Sequence, residues 1–133
     1  MQSVKAKVTR ALPVGTSVPA CDNSGAKMLR IFAVLNHKTR KGRQPSAGVA
    51  DMVMASVQKG RPDMRKKVVL AVIARQKKEF RRPDGVRIKF EDNAAIVVKD
   101  KKANPQGSMI KGPVAKEVCE RWPLIAKLAN VVV

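Results

Sequence analysis

M-V-M-A-S-V-Q-K at residues 52–59 and V-V-L-A-V-I-A at residues 68–74 carry most of the fold information in this chain. The first run alternates. Val53, Ala55 and Val57 share one face, and Met54, Ser56 and Gln58 share the other, which is the period of a strand turned toward a core on one side. The second run is apolar at every position, as expected of a strand covered on both faces. Working outward, the candidate strands are residues 5–9, 17–21, 27–34, 52–59, 67–75, 86–90 and 94–99. They are punctuated by N-S-G at 23–25, P-D-G at 83–85 and N-P-Q-G at 104–107. No long helical pattern precedes residue 113. Short strands at this spacing predict a mainly β fold, a small closed barrel whose closure also removes exposed strand edges.

The charge is uneven. Residues 59–89 hold twelve Lys/Arg against Asp63, Glu79 and Asp84, nine of the chain's net +18. Within them, R-Q-K-K-E-F-R-R-P-D-G-V-R-I-K-F (residues 75–90) reads as two strands joined by a Pro-Asp-Gly turn. Pro83 presets φ and Gly85 tolerates a positive φ there, so the expectation is a projecting basic β-hairpin. Phe80 and Phe90 flank the turn and are placed to pack across its arms. A second basic zone, the loop at residues 36–48, carries Lys38, Arg40, Lys41 and Arg43 and no acid. A merely solvated face would mix both signs, so these zones point to a polyanion, as does the pI near 10.8. The candidate RNA-binding residues are Lys38, Arg40, Lys41, Arg43, Arg61, Arg65, Lys66, Lys67, Arg75, Lys77, Lys78, Arg81, Arg82, Arg87 and Lys89. Arginines suit bidentate phosphate contacts and lysines looser ones.

Other classes lack their parts. With 133 residues and 44% hydrophobic content, the chain fits one domain with its own core. It divides into 1–112, a barrel with basic loops and hairpin, and 113–133, a C-terminal helical segment. Neither a basic amphipathic helix nor a long apolar span suggests a membrane, and the N-terminus lacks the apolar stretch of a signal peptide. Phe32, Phe80, Phe90 and Trp122 are the only aromatics. They are too few for a base-stacking platform, in which each stacked base contributes ~1–3 kcal/mol. Recognition should therefore run through phosphates and the shape of folded RNA or duplex. His37 is the lone histidine and sits in a cationic loop. Cys21 and Cys119 are far apart, as suits free thiols in the cytoplasm, and with His37 they do not make a zinc site. Gly107 to Gly112 has the P-loop interval, but Pro113 and Val114 stand where Lys and Ser/Thr are required. The adjacent carboxylates Glu91 and Asp92 point to opposite faces of a strand. No catalytic constellation and no cofactor are expected. A generic DNA-binding architectural protein is the alternative, although its hairpin would offer phosphate-type cations rather than base-reading side chains.

After Gly112 the chain changes character. Pro113 suits a first helical turn, Val114, Val118 and Trp122 follow at i, i+4, i+8, and Pro123 breaks or restarts the helix before Leu124, Ile125 and Leu128. Two readings stand. All six apolar residues cover the open end of the barrel, or one helix covers it while an outer face with Lys116, Glu117, Glu120 and Arg121 contacts a protein.

D-N-S-G-A-K (residues 22–27), R-R-P-D-G (81–85), F-E-D-N-A-A (90–95) and G-P-V-A (112–115) resemble the universal ribosomal protein fourteen family of the large subunit. The match runs along nearly the whole chain, and the segment before Val18 and K-G-R-P-D-M-R-K-K resemble its archaeal/eukaryotic branch. The resemblance implies a closed five-stranded barrel with a projecting β-ribbon and a small helical C-terminus. It also implies binding to large-subunit rRNA, contacts with neighbouring large-subunit proteins and bridges to small-subunit rRNA at the subunit interface. The family's C-terminal surface further implies a docking site for subunit anti-association factors, and the implied location is the ribosome in the cytoplasm. The sequence departs from the family at Ala20-Cys21, where Cys-Ala is usual. With period two, that swap sends the thiol to the other face of the strand, which leaves the role of Cys21 open.

Overall fold

The computed structural model describes residues 1–133. Its first half runs through β1 (Leu12–Pro13), β2 (Ser17–Pro19), β3 (Ala26–Val34), β4 (Ser46–Ala47) and β5 (Met52–Gly60). Then come β6 (Val68–Arg75), β7 (Phe80–Arg81), β8 (Arg87–Ile88), β9 (Ala94–Val98) and β10 (Pro113–Val114). Helices α1 (Lys116–Arg121) and α2 (Pro123–Ala126) and strand β11 (Val131–Val132) complete it. The body is one curled antiparallel sheet in the order β2-β3-β5-β6-β9.

The alternation of β5 is realised. Val53, Ala55 and Val57 are buried in one apolar cluster with Leu29, Ile31 and Val18, inside the curl. The uniform apolarity of β6 and β9 is explained by two cores. Ala71, Ile73, Ala95 and Val97 enter the inner cluster, whereas Val72, Ala74, Ala94, Ile96 and Val98 enter a second one on the opposite side. The C-terminal segment supplies that second core with Val114, Ala115, Val118, Trp122 and Ile125, all buried. Trp122 satisfies its indole N–H by donating to Ala50 O at 2.9 Å. Each large apolar side chain so buried contributes ~1.5–3 kcal/mol.

The sheet is a half-barrel, not a closed barrel. Its edge strand β2 is three residues long and ends at Pro19, which has no N–H to extend a ladder. The edges meet only at an isolated Ala20–Ala95 bridge, with Cys21 N–H donating to Ala95 O at 3.0 Å. Asp22 adds a side-chain substitute for the missing ladder, as its carboxylate accepts from Val97 N–H at 3.0 Å and from Ser24 Oγ at 2.9 Å. Burial pushes this carboxyl above its ordinary pKa.

A long projecting basic hairpin is also not what forms. The β7–β8 ladder has only two pairs, Phe80↔Ile88 and Arg81↔Arg87, because Phe80 is drawn into the second core and Gln76 is buried. Phe90 is only half-buried, and it meets Gln76 O through its N–H at 3.2 Å rather than extending β8. Residues 5–9 form no strand. They run irregularly over the second core, with Val4 and Val8 against it. Pro113 opens a strand instead of a helix, since β10 pairs in parallel with β11 and α1 begins only at Lys116. Pro123 restarts the helix at the first position of α2. Cys21, sent to the opposite strand face by period two, lies in the second core and is 5% exposed, because beyond β2 both faces are covered.

Two outcomes follow from this packing. Ile96→Ala should cost ~2–5 kcal/mol in urea unfolding, while Phe32→Ala, at a site 44% exposed, should cost under ~1 kcal/mol. Burial raises the Cys21 thiol to about 11, so timed alkylation at pH 8 should label Cys119 well before Cys21 in the folded protein.

Candidate nucleic-acid interface

Three basic segments are placed by the sheet. Residues 36–45 leave β3, residues 61–67 connect β5 to β6, and residues 77–89 follow β6. Because β5 and β6 are antiparallel neighbours, the first and third segments share one end of the sheet and the second lies at the other. The nine residues of β5 separate these ends by ~30 Å.

Each segment is shaped by a local device. The first turns at Lys41 and Gly42, both at positive φ (59° and 69°), with Thr39 Oγ1 closing on Arg43 O, so that Arg40, Lys41 and Arg43 are presented outward. The second is a single tight turn in which Met64, 5% exposed, plugs the inner core. Arg61, Arg65, Lys66 and Lys67 splay into solvent around it. Gln76 sets the base of the third, donating through Nε2 to Thr9 O and Lys78 O, both at 2.9 Å, and accepting from Val49 N–H at 3.1 Å. At its tip, Arg82 N–H donates to Val86 O at 2.9 Å around Gly85, whose φ of 87° suits the turn.

Thirteen of the fifteen candidate cations are not enclosed. Lys38, Arg40, Lys41, Arg43, Arg65, Lys66, Lys67, Lys77, Lys78, Arg81 and Lys89 are exposed and make no ion pair. Arg61 pairs with Asp63 at 3.5 Å and Arg87 with Glu79 at 3.7 Å, both in solvent where such pairs contribute little. Arg75 and Arg82 are different. Arg75 is 7% exposed and grips Asp92 with Nε and Nη2 at 3.0 and 3.2 Å while Nη1 donates to the carbonyls of Lys111 and Pro113. Arg82 binds both Glu117 oxygens, at 2.8 and 3.3 Å, and Val133 O at 2.6 Å. These two guanidiniums fasten the chain to itself and are not free for phosphate.

The docking set thins in the same way. Glu117 is 3% exposed and is the partner of Arg82. Arg121 reaches Asp51 at 3.2 Å and lies over the Trp122 ring at 5.4 Å. Only Lys116 and Glu120, a loose i,i+4 pair at 3.8 Å, remain on the outer side of α1.

The sequence family described as ribosomal protein L14p/L23e matches residues 11–133. This chain belongs to that family. Over 133 residues, covering both chains completely, it is 51% identical to the large ribosomal subunit protein uL14 of Nanoarchaeum equitans and 53% to that of Methanothrix thermoacetophila. The corresponding protein of Methanocella arvoryzae is 46% identical over the same span.

The motifs that carry the L14p/L23e resemblance are joints of the fold. Asn23 Oδ1 accepts from Ser108 N–H at 2.8 Å and Met109 N–H at 3.2 Å, tying the first turn to the loop before β10. A Cβ at Gly25, with φ 100°, would collide with the Arg61 guanidinium. Asn93 caps Lys77 N–H at 2.8 Å beside the Arg75–Asp92 clasp, and Gly112, φ 79°, leaves room for Arg75. Two exposed lysines outside the candidate set, Lys5 and Lys7, line the same cleft as Arg81 and Arg82. Their only sequence signal was a K-A-K spacing in an unpunctuated N-terminus.

The buried ion pair has a measurable consequence. Glu117→Ala leaves Arg82 unpaired and should cost roughly 3–5 kcal/mol in urea unfolding, whereas Glu120→Ala should cost under ~1 kcal/mol.

Proposed function

We propose that this chain is a structural constituent of the large ribosomal subunit that binds large-subunit rRNA by neutralising phosphates. As a member of a ribosomal protein family with relatives named for the large subunit, it has its place in the ribosome, in the cytoplasm. Its role is structural rather than catalytic. The observation that carries the RNA mechanism is the set of eleven exposed, unpaired cations held at the two ends of the sheet on otherwise well-fastened segments. Lys38, Arg40, Lys41, Arg43, Lys77, Lys78, Arg81, Arg87 and Lys89 serve one end, and Arg61, Arg65, Lys66 and Lys67 the other. Arg75 and Arg82 support the surface from behind. A second copy of the same chemistry in duplex DNA is the competing ligand.

The finer reading extends to partners. Bridges to small-subunit rRNA, contacts with neighbouring large-subunit proteins and docking of a subunit anti-association factor at the C-terminal region follow from the family resemblance. For the docking surface, the burial of Glu117 and the pairing of Arg121 with Asp51 leave Lys116 and Glu120 as the accessible charges.

Filter binding to structured large-subunit rRNA fragments checks the mechanism. With roughly six to ten phosphates engaged, affinity should fall by about 10³–10⁵ from 50 to 200 mM salt, and salt-insensitive binding would rule it out. Duplex DNA competing equally at matched salt would favour the generic polyanion binder. Reversing both charges, Lys116→Glu with Glu120→Lys, should leave RNA affinity unchanged while weakening a protein partner at the C-terminal surface, read by particle pull-down.

A further inference from the structure

The N-terminal segment and the basic turn enclose a cleft of about 330 Å³ lined by Lys5, Lys7, Arg81, Arg82 and Pro83. It is roomy enough for a phosphate with bound water, a water's share of liquid volume being ~30 Å³. No carboxylate lines it, and Lys5, Lys7 and Arg81 take part in no ion pair anywhere in the protein. Arg81 stands directly across the two-stranded ladder from Arg87, an arrangement of like charges that disfavours the ladder. Glu79 answers Arg87 at 3.7 Å and leaves Arg81 unanswered. Arg82 is immobilised from behind by its two bonds to Glu117 and cannot turn away to relieve the repulsion.

The lysines are held there too. Gln76 Nε2 holds Thr9 O at 2.9 Å, Val4 and Val8 pack on the second core, and Gln2 N–H donates to Arg121 O at 3.4 Å. The fold therefore anchors the segment on both sides of Lys5 and Lys7 and brings cations about seventy-five positions apart in sequence to one place with nothing to neutralise them.

We propose that this cleft binds one RNA backbone phosphate, gripped by Lys5, Lys7 and Arg81 over a floor made by Arg82. The proposal rests on the rRNA-binding reading above and adds to it a site in which the N-terminal segment is a working part of the interface. Occupation by a single phosphodiester gives three contacts that depend on one another. Cations that each met a separate phosphate would act independently.

The test uses the full chain and a structured large-subunit rRNA fragment, with Lys7→Gln, Arg81→Gln, the double variant, and Lys67→Gln as a control at the other end of the sheet. Each single change should weaken binding about tenfold. The Lys7→Gln/Arg81→Gln double should lose clearly less than the product of its singles, and its salt slope should fall by about one, as for one lost phosphate. Lys67→Gln should combine multiplicatively with either. Unfolding midpoints should match the parent, since both side chains are exposed and unpaired. Multiplicative losses with a slope change of about two would overturn the shared site. So would unchanged RNA binding by the double variant while the parent binds with its full salt dependence. If the parent itself bound without salt dependence, the underlying RNA reading would fail instead.

Discussion

Two-sided burial of β6 and β9 is the constraint on which the rest of this structure depends. Nine of the residues in these two strands enter one or other core. A strand that is apolar on both faces cannot remain on the surface of a half-open sheet. The inner face is closed by the curl of β3 and β5. The outer face is closed by the C-terminal segment, whose Val118, Trp122 and Ile125 have no other cover. The C-terminus is thus half of a core rather than an appendage. The near-neutral charge of residues 113–133 follows, because a strongly basic segment could not be laid against Ile96 and Val72 without desolvating its charges.

With both faces of β6 and β9 occupied, polar chemistry is pushed from these strands to their ends, where much of the charge lies. There the protein uses arginine in two distinct ways. Arg75 and Arg82 are turned inward, each satisfied by a carboxylate and by carbonyl oxygens of distant segments. An inward pair of this kind is weak evidence for stability, because desolvation offsets most of its Coulombic gain. Its value is geometric, because it fixes where the turn at residues 82–85 sits relative to α1. The remaining cations are then displayed on a backbone that does not need them for its own integrity, which leaves them free to meet phosphates.

What could be read from the sequence follows from the range of the interactions involved. The alternation of Val53, Ala55 and Val57, the two-sided apolarity of residues 68–74 and the turn at Pro83 to Gly85 are local. The structure realises the first and third fully and the second from Ala71 onward, Val68 being 59% exposed. Barrel closure is not local. It depends on whether two strands about seventy-five residues apart can form a ladder, and Pro19 with the Asp22 carboxylate decides that they meet at only one bridge. The same limit separates Arg82 from Arg81. The two are adjacent and chemically identical, and only the approach of Glu117 from the C-terminal helix makes one a fastener and the other a free charge. Lys5 and Lys7 carry no local signal, because their neighbours in space lie in the turn and not in the N-terminus. Met64 was hidden by the cations around it.

Two basic ends separated by the length of β5 also bear on what such a small protein can do. At physiological ionic strength the Debye length is about 8 Å, so clusters ~30 Å apart neither repel nor reinforce one another appreciably. Each end can engage its own RNA segment with little electrostatic cost from the other. The sheet between them, with β6 and β9 packed on both faces, acts as a rigid spacer, so binding at one end positions the second without a flexible linker's entropy cost. On the rRNA-binding reading, a 133-residue chain then orders two RNA segments relative to each other. Neither base recognition nor a conformational change is required for this, only that the cores hold the two ends at a fixed separation.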